Sequence, residues 1–194
     1  MDTEKLLENF QKYANLLEKY FPNPGTSKFL EDYGIRLTTA PRGLKDADGG
    51  VPGELINFLL RVTLTANDHS KAIEARVGSG SIDRKSIARI CLIHELGKLG
   101  SPEEELFIVQ ESQWHKEKLG QNFKYNENCP KMSTSHRTLC LLQTYGIDIT
   151  ANEWVAILTS QGMQYPENAF YGNSLPDIAK VLHFARSIAD LENN

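Results

Sequence analysis

Hydrophobic residues recur at helical spacing along most of the chain. Near the N-terminus this spacing predicts an amphipathic helix over residues 3–20. Its inward positions are Leu6, Phe10, Tyr13, Leu17 and Tyr20. The sequence FPNPG ends that helix, and a short second helix is predicted over 26–33, ended by Gly34. Residues 35–51 carry Gly, Pro and Asp throughout, which predicts a loop.

A long apolar stripe follows this loop. Pro52 suits the first turn of a helix, which the stripe extends to about Val77. Its inward positions are Leu55, Leu59, Val62 and Ala66. After the break GSGSID, Asp83 can cap a further helix that ends near residues 94–96, with Gly97 as the residue that terminates it. The buried positions of this helix are Ile87, Ile90 and Cys91.

The second half of the chain contains several helix-start signals. Residues 101–104, with the sequence SPEE, have the residue types of a capped helix start. Residues 106–126 are ambiguous, and the aromatic residues around KLGQN suit a small β-hairpin near 113–126. Further helices are predicted over 135–145, from the capping box TANE to about residue 159, and from Pro176 onward. The whole pattern predicts one all-α domain of six or seven helices, with room for one small hairpin.

Composition and charge agree with this picture. A chain of 194 residues, 40% hydrophobic and 24% charged, suits a single globular domain in solution. The formal net charge of -4 argues against a nucleic-acid partner, because such domains usually present a basic face. The apolar runs are shorter than the ~18 residues of a membrane span, and the charged N-terminus does not resemble a signal peptide. No nucleic-acid or membrane partner is therefore expected.

The cysteines indicate the redox setting. The chain has three, Cys91, Cys129 and Cys140, an odd number that fits no metal-ligand spacing. Cys91 and Cys140 lie in apolar runs, so we expect both to be buried thiols. This usage favours a reducing, cytoplasmic location.

The sequence ICLIHELGKLG places His94 and Glu95 side by side where an apolar helix should end. A cation held by imidazole nitrogen and carboxylate oxygen needs three or more ligands from separate elements. Neighbouring residues point about 100° apart on a regular helix, so this pair can share one site only near a helix end. The alternative is that His94 is a half-buried helix-end residue favoured by the dipole and Glu95 lies in solvent.

Three segments give this pair a wider context. They are VPGELINFLLRV, IARICLIHELGKLG and VLHFARSIADLE, in that order. They resemble the first-ligand segment, the His-Asp helix and the closing helix of the HD-domain superfamily. The resemblance covers about residues 45–192 of a single domain, with residues 1–44 as an N-terminal helical flank. The sequences LLENFQKYANLLEKYFP and LCLLQTYGIDITANEWVAIL look like the small HD-domain proteins of large tailed phages of marine bacteria.

The resemblance implies an all-α fold and a metal-dependent phosphohydrolase, often one that acts on nucleotides. Its one or two divalent cations (Mn, Fe, Co, Ni, Zn or Mg) would lower the pKa of a bound water and neutralise phosphate charge. Carried over to this chain, the first histidine ligand falls on Phe58 and the His-Asp pair on His94 and Glu95. The distant aspartate ligand falls on Arg186. Two of the four ligand positions have therefore lost their donors.

These departures predict a rebuilt pocket without a metal cofactor. Phe58 offers no lone pair, and the permanently charged guanidinium of Arg186 repels a cation. We expect Arg186 to take the place of the cation and to pair with Glu95, with His94 hydrogen-bonded to the same cluster. Lys98 resembles a family lysine that reaches substrate phosphate, but a cation is also favourable at a helix C-terminus. Glu95 and Lys98 are the candidate catalytic residues if activity remains.

Three further residues are assigned to the same pocket. Gln161 stands at or next to a position where related phage sequences have a histidine. His183, one helical turn before Arg186, either supports the pocket or belongs to the core. Several HD proteins have an extra histidine, which binds a second metal, in the region where this chain has His136. A three-ligand metal site of His94, Glu95 and His136 therefore stays an alternative. The alternative for His136 is a surface residue near a helix start.

Three functional interpretations follow from the sequence. The leading one is a diverged, catalytically impaired and metal-free HD-domain protein that binds a nucleotide, another phosphorylated molecule or a protein partner. The second is an active metal-dependent phosphohydrolase, similar to a nucleotidase, with a remodelled site. The third is a structural or interaction protein of phage origin, in which the old pocket is only packed core.

Overall fold

The computed structural model describes residues 3–192, which form eight α-helices and two short strands. The helices are α1 (Thr3–Tyr20), α2 (Pro24–Thr39), α3 (Glu54–Val77), α4 (Arg84–Ile93), α5 (Gln113–Leu119), α6 (Thr134–Thr144), α7 (Ala151–Thr159) and α8 (Asp177–Leu191). The strands β1 (Phe107–Val109) and β2 (Phe123–Tyr125) pair antiparallel, with Phe107 opposite Tyr125. Short 3-10 helices occur at Asp46–Asp48, Leu96–Leu99 and Pro166–Tyr171. The predicted all-α class with a small β element is confirmed.

The helices pack around two apolar clusters. The first joins α1 and α2 to the start of α3 and to α4, α6 and α7; among its buried members are Tyr13, Phe29, Leu55, Leu92, Leu141 and Ile157. The second lies between α3, α4 and α8; among its buried members are Phe58, Val62, Ile90, Leu182 and Ala185. The hydroxyl of Tyr13 donates to the Leu92 carbonyl at 2.9 Å, so this buried phenol keeps a hydrogen bond. The predicted N-terminal flank is therefore part of the common core.

Most helix starts lie where the sequence places them. The Asp83 carboxylate accepts the Ser86 N–H at 3.0 Å and caps α4. Thr150 and Glu153 form the reciprocal capping box of α7. Pro176 directly precedes α8, and α3 begins two residues after Pro52. In the described part of the chain, every helix is too short or too polar to span a bilayer.

The predicted short helix over 26–33 is wrong in its length. Helix α2 continues to Thr39, so the first five residues of the predicted loop are helical. Phe29, Tyr33 and Leu37 form one buried face, and burial of Leu37 carries the helix past Gly34. A Cβ on Gly34 would meet only the Phe10 ring at 3.6 Å, so this glycine is an ordinary interior residue of the helix.

The helix predicted to start at Ser101 does not form. The Ser101 hydroxyl does accept the Glu104 N–H at 3.0 Å, but the Ser101 N–H also donates to the Glu104 carbonyl at 2.8 Å. Arg36 donates to the carbonyls of Ser101 and Pro102, which stabilises this non-helical conformation. The segment is a closed turn that leads into β1. The hairpin prediction near 113–126 is correct for β2, but its partner strand lies earlier and α5 occupies 113–119.

Gly97 has a different role from the predicted helix terminator. Helix α4 ends at Ile93, and Gly97 lies in the 3-10 helix Leu96–Leu99, against the start of α6. A Cβ there would stand 2.2 Å from the Thr134 carbonyl oxygen, and the Gly97 N–H donates to Thr138 Oγ1 at 2.8 Å. The glycine is needed for this close approach. A second correction concerns Cys140, which is exposed because it points away from the buried face of α6.

Candidate functional site

His94 and Glu95 lie at the junction between α4 and the following 3-10 helix. His94 is the C-terminal cap of α4, and Glu95 leaves helical geometry with φ of -113°. Both residues are fully buried. The alternative in which His94 is half-buried and Glu95 lies in solvent is therefore wrong. The break in the helix turns both side chains into the interior, where a charged carboxylate requires partners.

Three cations surround the Glu95 carboxylate. Arg186 Nη2 of α8 donates to Oε1 at 2.7 Å, which is the predicted pair. Lys98 Nζ lies 2.9 Å from Oε2, and Arg42 Nε lies 3.4 Å from the same oxygen. We call this group the Glu95 cluster: Glu95, Arg42, Lys98 and Arg186. Burial by itself would raise the pKa of Glu95, but the adjacent Lys98 and Arg186 hold it well below its ordinary value, so the carboxylate is ionised.

Arg42 is the member of the cluster that sequence analysis missed. Its guanidinium lies over the Phe58 ring at 3.4 Å from the centroid, and its Nη1 is 2.6 Å from Asp190 Oδ1. Phe58 thus presents a π face to a cation where the HD pattern has a nitrogen donor. Nothing local in the sequence PRG signals this role, because the partners of Arg42 lie on distant elements.

His94 stands beside the cluster without bonding to it. Its Nδ1 is 3.1 Å from the Cys91 carbonyl oxygen, which can only accept, so Nδ1 carries the hydrogen and Nε2 keeps a lone pair. Nε2 is buried and has no hydrogen-bond partner within the described residues. The expected bond from His94 to Glu95 and Arg186 is therefore wrong. Burial, reinforced by Arg186, lowers the pKa of His94 to about 3, so the ring is neutral.

Lys98 belongs both to the cluster and to a cavity. Burial lowers its pKa, and the Glu95 carboxylate opposes this shift by stabilising the ammonium. The cavity has a volume of about 750 Å³ and is lined, among other residues, by Arg42, Lys98, Tyr125, Arg137, Gln161 and Asp190. The cluster therefore forms part of the wall of a space large enough for a small-molecule ligand.

The remaining predicted site residues are less central. Gln161, just after α7, lines the cavity. His183 on α8 is half-buried, and burial lowers its pKa with a further contribution from Arg186. His136 is exposed at the start of α6, where its Nδ1 lies 2.7 Å from Ser133 Oγ. It therefore lies outside the pocket to which the sequence assigned it, because its side chain takes part in the local cap of α6.

The donor set does not fit a divalent cation at the position that the HD resemblance assigns to a metal. His94 Nε2 is a free lone pair of the kind that a metal uses, but Phe58 has none. Both oxygens of Glu95 already lie next to cations. One of these cations is the permanently charged guanidinium of Arg186, whose Nη2 lies 2.7 Å from Glu95 Oε1. Within residues 3–192, no three His, Cys, Asp or Glu side chains form a group that could hold a metal. The alternative set of His94, Glu95 and His136 is thus not assembled.

The cavity wall carries positive charge that can attract an anion. The cations of the Glu95 cluster are held in place by Glu95 and Asp190, and two of them, Arg42 and Lys98, reach the cavity surface.

Comparisons with protein family models, with curated proteins and with solved structures gave no match for this chain.

Proposed function

We propose that this protein is a diverged member of the HD-domain superfamily that binds an anionic small molecule without metal-dependent hydrolysis. The ligand is a nucleotide or another phosphorylated compound, held in the cavity beside the Glu95 cluster. The single observation that carries the proposal is the 2.7 Å pair between Arg186 Nη2 and Glu95 Oε1, at two positions where the HD pattern has metal-binding aspartates.

The electrostatics of the cluster support binding over catalysis. Arg42, Lys98 and Arg186 provide the positive charge that a metal would otherwise bring to a phosphate. A guanidinium or ammonium group cannot coordinate a water through an empty orbital, so it does not generate hydroxide as a metal ion does. The pocket thus keeps the attraction for an anion and lacks the group that would activate the nucleophile.

The state of His94 supports the proposed ancestry. Its Nδ1–H···O=C bond and its unpaired lone pair on Nε2 are the arrangement that metal-ligating histidines usually have. A buried Nε2 without a partner costs stability, which a residue chosen for packing alone would not incur. The imidazole is oriented as a ligand although the other donors of such a site have been replaced.

Metal analysis of the purified full-length protein tests the proposal. Elemental analysis for Mn, Fe, Co, Ni and Zn should find no stoichiometric metal, and phosphomonoesters and nucleotides should not be hydrolysed with Mn or Co added. Stoichiometric metal, or turnover that depends on added metal, would overturn the proposal. A thermal shift with nucleotides should reveal binding, because a ligand at 100 times its Kd stabilises a protein by about 2.7 kcal/mol.

Restoration of the family ligands provides a complementary test. The triple variant Phe58→His, Glu95→Asp, Arg186→Asp would recreate the donor set around His94, whose ring centroid lies 6.3 Å from that of Phe58. We expect this variant to bind about one equivalent of Mn or Zn, as four such donors commonly do. The matched control carries His94→Ala in addition and should lose that metal. Should the triple variant not fold, the metal content and turnover of the wild type still decide.

A further inference from the structure

A third cation of the cavity wall, Arg137, lies outside the Glu95 cluster. Arg137, in the first turn of α6, is only 5% exposed and lines the cavity. Its Nη1 donates to the Gly97 carbonyl at 3.2 Å, and its Nη2 donates to the Pro130 carbonyl at 2.6 Å. No carboxylate of residues 3–192 is within ion-pair distance of this guanidinium. Its hydrogen bonds orient the group, but its charge is not compensated.

The wall of the cavity therefore has more positive than negative fixed charge. Four cations line or back it, namely Arg42, Lys98, Arg137 and Arg186. Two carboxylates pair with them, Glu95 and Asp190. Two positive charges remain in excess. Asp48 and Glu167 also line the cavity, but both are exposed and, unlike Asp190, neither is ion-paired with one of these four cations.

The start of α6 adds donors at the same wall. Ser133, Thr134 and Ser135 line the cavity, and α6 has 11 residues, so its first-turn N–H groups carry the positive end of a full helix dipole. Backbone N–H groups at such a position suit a phosphoryl oxygen. The buried guanidinium of Arg137 follows within the same turn, so the dipole and an uncompensated cation act on one region of the cavity.

We propose that this wall is a binding site for a doubly charged oxyanion, a terminal phosphate monoester, held by Arg137, Lys98 and the N-terminus of α6. The inference rests on the proposed function and specifies the ligand class of the same cavity. A phosphomonoester carries close to two negative charges at neutral pH, which equals the excess of fixed positive charge. A phosphodiester carries one and leaves a buried cation uncompensated.

Calorimetric titration of the full-length protein tests the inference with three probes. These are adenosine 5′-monophosphate, ribose 5-phosphate and cyclic 3′,5′-AMP. We expect both monoesters to bind and cyclic AMP to bind at least about tenfold more weakly, as the loss of one charge-assisted contact implies. Equal affinity for the two monoesters identifies the phosphate as the recognised group, and tighter binding of the nucleotide adds recognition of the base.

A substitution at the first residue of α6 locates the site. Thr134→Asp places a fixed carboxylate in the proposed position of the phosphate, and an acid at this position of a helix favours the fold. We expect binding of AMP to weaken by about tenfold or more. The matched control is Ala151→Asp at the first residue of α7, which is exposed and does not line the cavity; it should change the affinity less than about twofold.

The outcomes separate this inference from the proposed function. Equal affinity for AMP and cyclic AMP, or unchanged binding in Thr134→Asp, overturns the site while ligand binding by a metal-free protein stands. Failure of all three probes to bind overturns the inference. Stoichiometric metal in the wild type overturns the proposed function, whatever the titrations show.

Discussion

Replacement of Glu95 by Gln should destabilise the protein far more than its change in volume suggests. The amide has nearly the same shape, so no cavity term enters. What changes is that Arg186, Lys98 and Arg42, whose side chains are only 17%, 14% and 12% exposed, lose their common counter-charge. Removal of one partner of a buried pair costs about 3–5 kcal/mol. Because the three cations keep some access to water, we expect about 3 kcal/mol.

Substitution of the partner residue Arg186 tests the same electrostatic coupling from the other side of the ion pair. Arg186→Met leaves two cations, Arg42 and Lys98, with two carboxylates, Glu95 and Asp190, so the remaining charges balance. It should therefore cost less than Glu95→Gln, on the order of 1–2 kcal/mol. The double variant should be less destabilised than the sum of the two single variants, by at least about 1 kcal/mol, because each removes the partner of the other.

Urea unfolding at pH 7, with the free energy of unfolding extrapolated to water, measures these differences. Glu105→Gln is the matched control, because its carboxylate lies 3.7 Å from Arg36 but is 54% exposed. It should change stability by no more than about 0.5 kcal/mol. If Glu95→Gln is as mild as this control, or if the double variant is additive, the Glu95 cluster does not have the electrostatic coupling described above.

Three further outcomes follow from other buried groups. Burial lowers the pKa of His94 from 6.5 to about 3, so between these two pH values the unfolded chain binds a proton that the folded protein does not. The free energy of unfolding should therefore fall by about 1.4 kcal/mol per pH unit as the pH drops below about 6.5. Urea unfolding at pH 7 and pH 5 should show a larger loss of stability in the wild type than in His94→Gln. Gly97→Ala places a Cβ 2.2 Å from a carbonyl oxygen of α6 and should destabilise the protein by about 3 kcal/mol or more. Gly34→Ala meets no such obstacle inside α2 and should stabilise the protein by about 0.5–1 kcal/mol, because alanine favours a helix interior. Thermal unfolding measures both changes. Glu153→Gln removes a fully buried carboxylate that accepts from Arg89 Nε at 2.7 Å and closes the capping box of α7, so it should cost about 3 kcal/mol in the same assay; a loss below about 1 kcal/mol would contradict the assigned role.

The features that sequence predicts correctly are those with local signals. The capping box of Thr150 and Glu153 and the cap at Asp83 each depend on residues within one turn, and the structure contains both. The extension of α2 to Thr39 depends on burial of Leu37 by other elements, which the local sequence does not state. The helix predicted to start at Ser101 is absent for a similar reason, because Arg36, from another part of the chain, donates a hydrogen bond to the Ser101 carbonyl.

The candidate site divides along the same line. The pair of Glu95 and Arg186 is expected as soon as the two residues are assigned to neighbouring positions, because opposite charges in a closed pocket must meet. Arg42 lies in a segment with no periodicity, so only the folded structure shows that it covers Phe58 and reaches Asp190. The exposed position of His136 depends on how α6 is rotated about its axis, which the spacing of its apolar residues fixes only coarsely.

The separation of the cluster members along the chain has a consequence for folding kinetics. Arg186 lies 91 residues after Glu95, so the two meet only through closure of a long loop. During synthesis α8 leaves the ribosome after every other helix described above, and until it docks, the carboxylate of Glu95 lacks its nearest guanidinium. Docking of α8 is therefore expected to be a late step, and substitutions at this pair should accelerate unfolding while leaving the refolding rate almost unchanged.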